Sequence, residues 1–495
     1  MPHVLAIDAG TTGVTVLIVD QDGAVAGRGY REFPQSFPRL GWVEHDPEDW
    51  WRALVAASMG ALETARVEPA GLSAIGITNQ RETTVLWDRG SLAAAHPAIV
   101  WQDRRTAALC QRLREEGWEE RVRDRTGLVI DPYFSATKLS WLLENVDGAH
   151  ESARAGRLAF GTVDAYLVAR LTGGRIHASD VTNASRTMLF DIRKLDWDPE
   201  LVDRLGVPRE VLPEIKPSCG TVGHTDPDVF FGARIPISGI AGDQQAALFG
   251  QACFTPGATK NTYGTGSFVL MNTGTEAPSS NSGLITTIAY GVEGTVEYAL
   301  EGSIFVTGAT VQWLRDGLRI IEASADTGPL AESVPDTGDV YFVPALVGLG
   351  APHWDPYARG TILGITRGTT GAHLARAAVE AMAYQTRDVV EAMRADSGLD
   401  ITELKADGGA SAMDLLMQFQ ADLLGVAVRR PRVLETTAMG AAYLAGLGAG
   451  VWSSREEVVA QWQLDREFRP RSDDVEDRYA RWREAVERAK GWAKP

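Results

Sequence analysis

Residues 4–19 read VLAIDAGTTGVTVLIV, two apolar runs on either side of a glycine- and threonine-rich turn. Both alternating faces of these runs are largely apolar, a pattern typical of strands that are buried on both sides. We therefore predict a buried β-hairpin with a tight turn at residues 9–13. A similar arrangement follows at residues 259–272, where two strand candidates flank the turn GTGS at 264–267. This repetition predicts two halves of related layout.

Strand and helix patterns are interleaved along the chain, which predicts the α/β class. Residues 253–257 interrupt both periodicities, so we expect an N-terminal domain at 1–252 and a C-terminal domain at 253–495. Further strand candidates lie at 74–77, 83–87, 235–241, 284–289, 296–300 and 404–406, and helix candidates at 50–65, 104–114, 376–393 and 412–424.

Composition excludes several classes of protein. The 495 residues include 48 Lys and Arg against 65 Asp and Glu, and the net charge of −17 repels a nucleic-acid backbone. We expect no nucleic-acid partner. No signal-peptide pattern and no apolar run of about 18 residues occurs, which predicts a cytoplasmic protein without a membrane segment. The spacing of Cys110, Cys219 and Cys253 suggests neither a disulfide framework nor a zinc site.

The two glycine-rich turns are candidate phosphate cradles, because glycine lets the backbone approach an oxyanion while N–H groups and Thr hydroxyls donate to it. Asp8, at the end of the first strand, is the candidate ligand for Mg²⁺, which takes oxygen ligands and keeps several waters. The P-loop pattern GxxxxGK[ST] does not occur. Either turn alone fits an ordinary hairpin as well as it fits a phosphate-binding loop. Together, and with a third glycine pair at 408–409, they favour nucleotide binding.

Candidate catalytic and polyol-binding residues follow other apolar strands. Asp243 comes after a strand candidate, where its carboxylate can accept the proton of an attacking hydroxyl or, alternatively, cap the following helix. Arg81 and Glu82 lie between two apolar strands. They would either bind the hydroxyls of a polyol or form a solvated charge pair in a hairpin. Trp101 is a candidate to pack on the carbon skeleton of that polyol, and Tyr133 to add a hydroxyl.

Taken together, several stretches resemble the FGGY carbohydrate kinase family, and within it the glycerol kinases. The resemblance runs in order from about residue 4 to beyond residue 480, without large gaps. It rests on GITNQRETT at 76–84, IVWQDRRT at 99–106, GIAGDQQAALFG at 239–250, YGTG at 263–266, EG at 301–302, QWLRD at 312–316, GLGAP at 348–352, WDPYARG at 354–360 and DGGA at 407–410.

The resemblance implies two actin-like, ribonuclease-H-like domains flanking a nucleotide cleft. It also implies transfer of the γ-phosphoryl of ATP, with Mg²⁺, to glycerol, giving sn-glycerol 3-phosphate, with Asp243 as general base and Asp8 nearest the metal. The positions that it implies for glycerol are Arg81, Glu82, Trp101, Tyr133, Asp243, Gln244 and Phe268. Those for nucleotide are Thr11, Thr12, Gly13, Thr265, Gly266, Gly308, Gln312, Gly409 and Met413. Family members are commonly dimers or tetramers, so we expect a homo-oligomer.

The sequence departs from the glycerol-kinase pattern at two places. In the first turn, Ala9, Gly13, Val14 and Thr15 replace a Gln, two Ser and an Arg, so a hydroxyl and a cation near the phosphates are missing. Met413 replaces the Asn that lies near adenine in relatives. Two alternatives therefore stay open: an FGGY kinase for another small polyol or a ketose, and a non-catalytic actin-like nucleotide switch. Control by loop phosphorylation or by a sugar phosphate is not implied, because the corresponding loop differs.

Overall fold

The computed structural model describes residues 2–472 and 475–494. The chain forms one six-stranded and one seven-stranded sheet, with helices interleaved between the strands, so the predicted α/β class is confirmed. All strands of the first sheet precede residue 243, and all strands of the second follow residue 258. We call residues 1–252 the first half and residues 253–495 the second half.

The strands in chain order are β1 (His3–Ala9), β2 (Gly13–Asp20), β3 (Val25–Glu32), β4 (Glu44–His45), β5 (Leu72–Asn79), β6 (Val85–Asp88), β7 (Ala98–Ile99), β8 (Leu158–Gly161), β9 (Ala178–Asp180), β10 (Phe190–Asp191), β11 (Asp196–Trp197), β12 (Glu214–Lys216), β13 (Cys219–His224), β14 (Pro236–Gly242), β15 (Thr259–Tyr263), β16 (Ser267–Gly274), β17 (Ile285–Val292), β18 (Thr295–Ile304), β19 (Tyr341–Val343), β20 (Thr361–Leu363), β21 (Glu403–Asp407), β22 (Ala427–Pro431) and β23 (Leu464–Phe468). The α-helices are α1 (Pro47–Ala65), α2 (Ala107–Glu115), α3 (Glu119–Thr126), α4 (Ser135–Asn145), α5 (Ala149–Arg154), α6 (Val163–Leu171), α7 (Val181–Ala184), α8 (Pro199–Arg204), α9 (Asp243–Gly250), α10 (Gly308–Asp316), α11 (Thr327–Glu332), α12 (Gly371–Ser397), α13 (Asp414–Leu424), α14 (Thr436–Gly448), α15 (Arg455–Gln461) and α16 (Glu476–Ala489). Within the described ranges, no helix combines the length and apolarity needed to span a bilayer.

The first sheet has the strand order β13-β14-β5-β1-β2-β3. The predicted hairpin is present: β1 pairs antiparallel with β2, and residues 4–7 are fully buried. On its other side β1 pairs parallel with β5, which pairs parallel with β14. Because parallel strands end at the same edge of a sheet, the residues at or just after their ends, Asp8, Arg81 and Asp243, are brought to one edge.

The second sheet repeats this pattern, with the order β17-β18-β16-β15-β21-β22-β23. Its glycine-rich turn joins β15 to β16, which pair antiparallel, and β15 pairs parallel with β21. The glycine pair 408–409 directly follows β21. As in the first sheet, a glycine-rich turn and the end of a parallel neighbour therefore lie at the same edge.

A helix of the second half completes the core of the first half. Helix α14 packs across β14, β5 and β1 and against α9. The two helices come closest at Gly440, where a β-carbon would lie 1.8 Å from the carbonyl oxygen of Ala246. A glycine is therefore required at this crossing. Since α9 begins at Asp243, the crossing also fixes the helix that carries the candidate base. The division into domains at residues 252 and 253 stays a prediction.

Candidate active site

The first glycine-rich turn is held in place by two side chains from neighbouring loops. Trp101 Nε1 donates to Thr11 Oγ1 at 3.0 Å, and Gln80 Nε2 donates to the carbonyl oxygen of Gly10 at 3.1 Å. Thr12, the next residue of the turn, is exposed. The turn is thus fixed at the sheet edge with a hydroxyl side chain open to a ligand.

The second turn is tied to the beginning of α10 and to the end of β21. The carbonyls of Gly264 and Thr265 accept from the N–H groups of Gly308 and Ala309, both at 3.0 Å. At Gly408, where φ is +82°, a β-carbon would lie 2.4 Å from the carbonyl oxygen of the last residue of β15. The structure thereby gathers five nucleotide candidates around this turn: Thr265, Gly266, Gly308, Gln312 and Gly409.

Two other nucleotide candidates are held by packing. Gly13 is buried at the start of β2, beneath the side chain of Tyr30. Met413 immediately precedes α13, is half-buried, and lies beside Gly328 of α11. A contact between Met413 and a nucleotide base stays a prediction.

The polyol candidates form a continuous cluster. The ring centroids of Trp101 and Tyr133 are 5.7 Å apart in an edge-on arrangement. The Arg81 guanidinium carbon lies 5.8 Å from the centroid of the Phe268 ring, and Arg81 Nε lies 3.1 Å from Asp243 Oδ1. Because Trp101 also bonds to the first turn, the polyol candidates adjoin that candidate phosphate cradle.

Buried lysines orient two further members of this cluster. Lys138 Nζ donates to three consecutive carbonyls, including that of Tyr133, and so fixes the turn that carries the phenol. Lys260 Nζ donates to Gln244 Oε1. Since an ammonium has only donors, the amide oxygen of Gln244 must face Lys260, which leaves Nε2 as a donor for a ligand.

The charged candidates form neither a solvated hairpin pair nor a helix cap. Arg81 and Glu82 are only 2% and 1% exposed, and the strands around them do not form a hairpin, because β5 pairs with β1 and β14 while β6 pairs with β8. Asp243 is not the helix cap: Gly242 is the N-cap residue, and Asp243 is the first residue of α9. The side chains instead belong to one ion-pair network.

Sequence reasoning missed two members of that network. Arg186 was not singled out, and Glu301 appeared only within a family-like stretch. Both are fully buried, and they pair with each other at 3.0 Å, with Arg186 Nε also 2.6 Å from Glu82 Oε1. The available signal was two acidic residues, Glu297 and Glu301, in an otherwise uncharged strand, since a buried carboxylate needs a cationic partner.

Four of the networked side chains keep a free donor or acceptor in the described part of the chain. Asp243 accepts from its neighbours on Oδ1 only, which leaves Oδ2 unused. Glu82 likewise uses only Oε1. Arg81 donates three of its five N–H groups to Gln245 and Glu301, and its Nε forms an ion pair with Asp243 at 3.1 Å. Arg186 Nη1 is buried without a hydrogen-bond partner in the described residues. Acceptors on Asp243 and Glu82 and donors on the two arginines therefore remain for a ligand that carries several hydroxyls.

The electrostatics separate the roles of the carboxylates. Burial raises the pKa of Asp243 above its usual value, and the Arg81 guanidinium opposes this rise. For Glu301, burial is outweighed by Arg186 and Arg81, which lower its pKa to about 2. Asp243 is thus the better proton acceptor, whereas Glu301 stays charged at neutral pH.

Asp8 fits a metal that is held mostly by other ligands. Among residues 2–472 and 475–494, no group of three or more His, Cys, Asp or Glu side chains is arranged to hold a metal ion. Burial raises the pKa of Asp8 to about 7, and the charge of Asp243 adds to the rise, so that a nearby cation would be favourable. A lone carboxylate suits Mg²⁺ that also keeps waters and phosphate oxygens.

Comparisons with known proteins find similarity along nearly the whole chain. Residues 3–250 match the N-terminal domain of the FGGY family of carbohydrate kinases, and residues 259–449 match its C-terminal domain. The chain is 57% identical to glycerol kinase 2 of Thermotoga maritima, covering 100% of both sequences. It is 58% identical to glycerol kinase of Carboxydothermus hydrogenoformans, covering 99% of this chain and 98% of that one.

Solved structures share the fold. The Plasmodium falciparum glycerol kinase with ADP superposes with a TM-score of 0.91 at 34% identity, covering 99% of this chain and 98% of that chain. A ligand-bound xylulose kinase from Lactobacillus acidophilus has a TM-score of 0.86 over 99% and 97% of the two chains. At 21% identity, that second likeness supports the fold alone. The family matches and the full-length relatives together establish that this chain belongs to the FGGY family of carbohydrate kinases.

Proposed function

We propose that this protein is an ATP-dependent glycerol kinase, which transfers the γ-phosphoryl of ATP to a terminal hydroxyl of glycerol and gives sn-glycerol 3-phosphate. The observation that carries the proposal is the position of Asp243. Its side chain is 29% exposed, its Oδ2 has no partner in the described residues, and Arg81 holds its Oδ1 at 3.1 Å. An oriented carboxylate with an unused oxygen can take the proton of an attacking hydroxyl. The full-length similarity to glycerol kinases supports this choice of substrate.

In this proposal the cluster around Asp243 binds and orients the polyol. The unused N–H of Arg81 donates to one hydroxyl, and Glu82 Oε2 accepts from another. The rings of Trp101, Tyr133 and Phe268 cover the carbon skeleton. Asp243 Oδ2 removes the proton from the third hydroxyl as its oxygen attacks the γ-phosphorus, and ADP leaves. Burial of the charged groups strengthens each of these contacts relative to water.

We propose that ATP lies between the two glycine-rich turns, with Asp8 nearest to Mg²⁺. The nucleotide candidates comprise Thr11, Thr12 and Gly13 in the first half and Thr265, Gly266, Gly308, Gln312, Gly409 and Met413 in the second. When bound, Mg²⁺ would neutralise charge on the phosphates. Asp8 would orient the metal directly or through its waters. We further propose a cytoplasmic enzyme, where its co-substrate ATP is available, and a homo-oligomer.

A coupled assay of ADP release tests the proposal. Glycerol, dihydroxyacetone, glyceraldehyde, erythritol and xylulose are compared at fixed ATP and Mg²⁺, and glycerol should give the highest kcat/KM. A higher value with xylulose or erythritol would identify a kinase for another polyol or ketose. ADP release that no polyol accelerates would instead support the non-catalytic or purely ATP-hydrolysing alternative.

A further inference from the structure

Glu301 connects the two halves of the chain inside the candidate site. It lies on β18 of the second sheet and is fully buried, whereas the arginines that it contacts, Arg81 and Arg186, come from the first half. We propose that Glu301 is a positioning residue for polyol binding, which acts through these two arginines on both hydroxyl-binding side chains. This inference rests on the proposed function.

The contact with Arg81 is two-pronged. Glu301 Oε2 lies 2.6 Å from Arg81 Nη1, and Oε1 lies 3.0 Å from Arg81 Nη2. Two parallel bonds fix the plane of a guanidinium as well as its position. With this plane fixed, Arg81 Nε lies 3.1 Å from Asp243 Oδ1, and Nη2, which makes one bond to Glu301, keeps a second N–H for a ligand. Together with Gln245, which also accepts from Nη1, Glu301 therefore orients Arg81 toward the polyol and the base.

The contact with Arg186 transmits the same constraint to Glu82. Glu301 Oε1 also accepts from Arg186 Nη2 at 3.0 Å, and Arg186 Nε donates to Glu82 Oε1 at 2.6 Å. This bond leaves Glu82 Oε2 as the free acceptor. Glu301 thus controls a donor and an acceptor for two different hydroxyls, although it offers none of its own atoms to the ligand.

Stability alone would not require a buried carboxylate between two arginines. Removing one partner from a buried ion pair destabilises a protein, but a well-packed apolar set is often as stable as the pair. The same strand offers a comparison. Glu297 is also buried, and it bonds to Asn272, Tyr290 and Arg455, none of which is a candidate site residue. Glu297 is therefore a matched control for the cost of changing a buried carboxylate on β18.

The test compares Glu301→Gln with Glu297→Gln in the full-length protein. We expect Glu301→Gln to raise KM for glycerol at least about tenfold while KM for ATP changes less than about twofold, because the nucleotide turns are untouched. ADP binding measured by calorimetry without glycerol should stay at the wild-type value. Glu297→Gln should lower the melting temperature to a similar extent and leave both KM values near those of the wild type.

A second variant covers the case in which Glu301→Gln does not fold. Arg186→Lys keeps the positive charge but loses the separate Nε and Nη2 donors that reach Glu82 and Glu301 in one plane, and it should also raise KM for glycerol selectively. Equal changes in both KM values, or glycerol kinetics that match those of Glu297→Gln, would overturn the inference while wild-type activity still upheld the proposed function. A wild-type protein that phosphorylates no polyol would contradict the proposed function and the inference with it.

Discussion

Asp243 lies at the accessible end of a buried ion-pair network. Replacing it tests its proposed role as general base. Asp243→Asn keeps the shape of the side chain but removes its ability to accept a proton. We predict a loss in kcat of about 10²- to 10⁴-fold with glycerol binding still measurable, because a general base acts in the transition state. Stopped assays of product formation and calorimetry with glycerol measure the two effects separately.

The control for this variant is Asp226→Asn, which changes an aspartate that also pairs with an arginine, Arg175, but lies outside the site. It should leave kcat unchanged. A near wild-type kcat in Asp243→Asn would remove Asp243 from the chemistry and leave it as the residue that orients Arg81.

Asp8 makes a prediction about pH. Its pKa is about 7 in the folded chain against 3.8 for an unperturbed aspartate, so between these values the folded state binds the proton and the unfolded state does not. The contribution of Asp8 to the stability of the ligand-free protein therefore falls as pH rises from about 4 to about 7, and the loss is complete above that range. Asp8→Asn should remove this dependence and stabilise the ligand-free protein at pH 8, by at most about 4 kcal/mol.

Thermal unfolding across this pH range, with and without Mg²⁺ and ATP, tests the role of Asp8. The wild type should gain more from ATP with Mg²⁺ than from ATP alone, and Asp8→Asn should lose that increment. Parallel pH curves for the two proteins, or a full Mg²⁺ increment in the variant, would contradict the assignment.

At the scale of elements, the crossing of α9 and α14 joins the two halves beside the base. A side chain at Gly440 would meet the Ala246 carbonyl oxygen at 1.8 Å, so Gly440→Ala must push the helices apart. We predict a loss of about 1–3 kcal/mol of stability together with a lower kcat, because α9 carries Asp243 at its first residue. Denaturant unfolding and steady-state kinetics give both values.

Gly60→Ala is the matched control, since it also replaces a helical glycine. A β-carbon at Gly60 would meet nothing closer than 3.9 Å, and alanine is the better helix former, so this variant should be neutral or more stable by about 0.5–1 kcal/mol. Equal effects of the two substitutions would show that the close crossing does not matter.

Local patterns in the sequence predicted much of the fold. The strand candidate at 259–263 coincides with β15, and both glycine-rich turns lie in hairpins, because alternation, apolar runs and glycine are local signals. The packing of α14 on the first sheet was not predictable in this way. It joins residues from about 200 to more than 350 positions apart, and the glycines that allow the close packing show their contacts only once the chain is folded.

The same distinction applies to the candidate site. Arg81 and Asp243 were found from the ends of strands, and their pairing follows from the parallel order of β5 and β14. The link from Arg186 to Glu301 spans 115 positions and joins a turn of the first half to a strand of the second, and no periodicity in the sequence indicates it. The burial of Arg81 was likewise hidden, since a charged pair between strands is exposed in most proteins.

In the molecule as a whole, both halves supply side chains for one reaction. The first half carries Asp243, Arg81 and the first turn, whereas the second carries Glu301, Lys260 and the second turn. Phosphoryl transfer depends almost entirely on positioning and charge stabilisation, so both sets must act on one bound pair of substrates. The polyol site is already bridged by buried bonds between the halves.

The proposed reaction is transfer of phosphoryl from ATP to glycerol with Asp243 as base. The most direct measurement is ³¹P NMR of the full-length protein with ATP, Mg²⁺ and glycerol, beside the Asp243→Asn variant. We expect the wild type to give equimolar ADP and sn-glycerol 3-phosphate. The variant should form these products at less than about 1% of the wild-type rate. ADP accompanied by inorganic phosphate without a phosphoester, or equal rates for the two proteins, would contradict it.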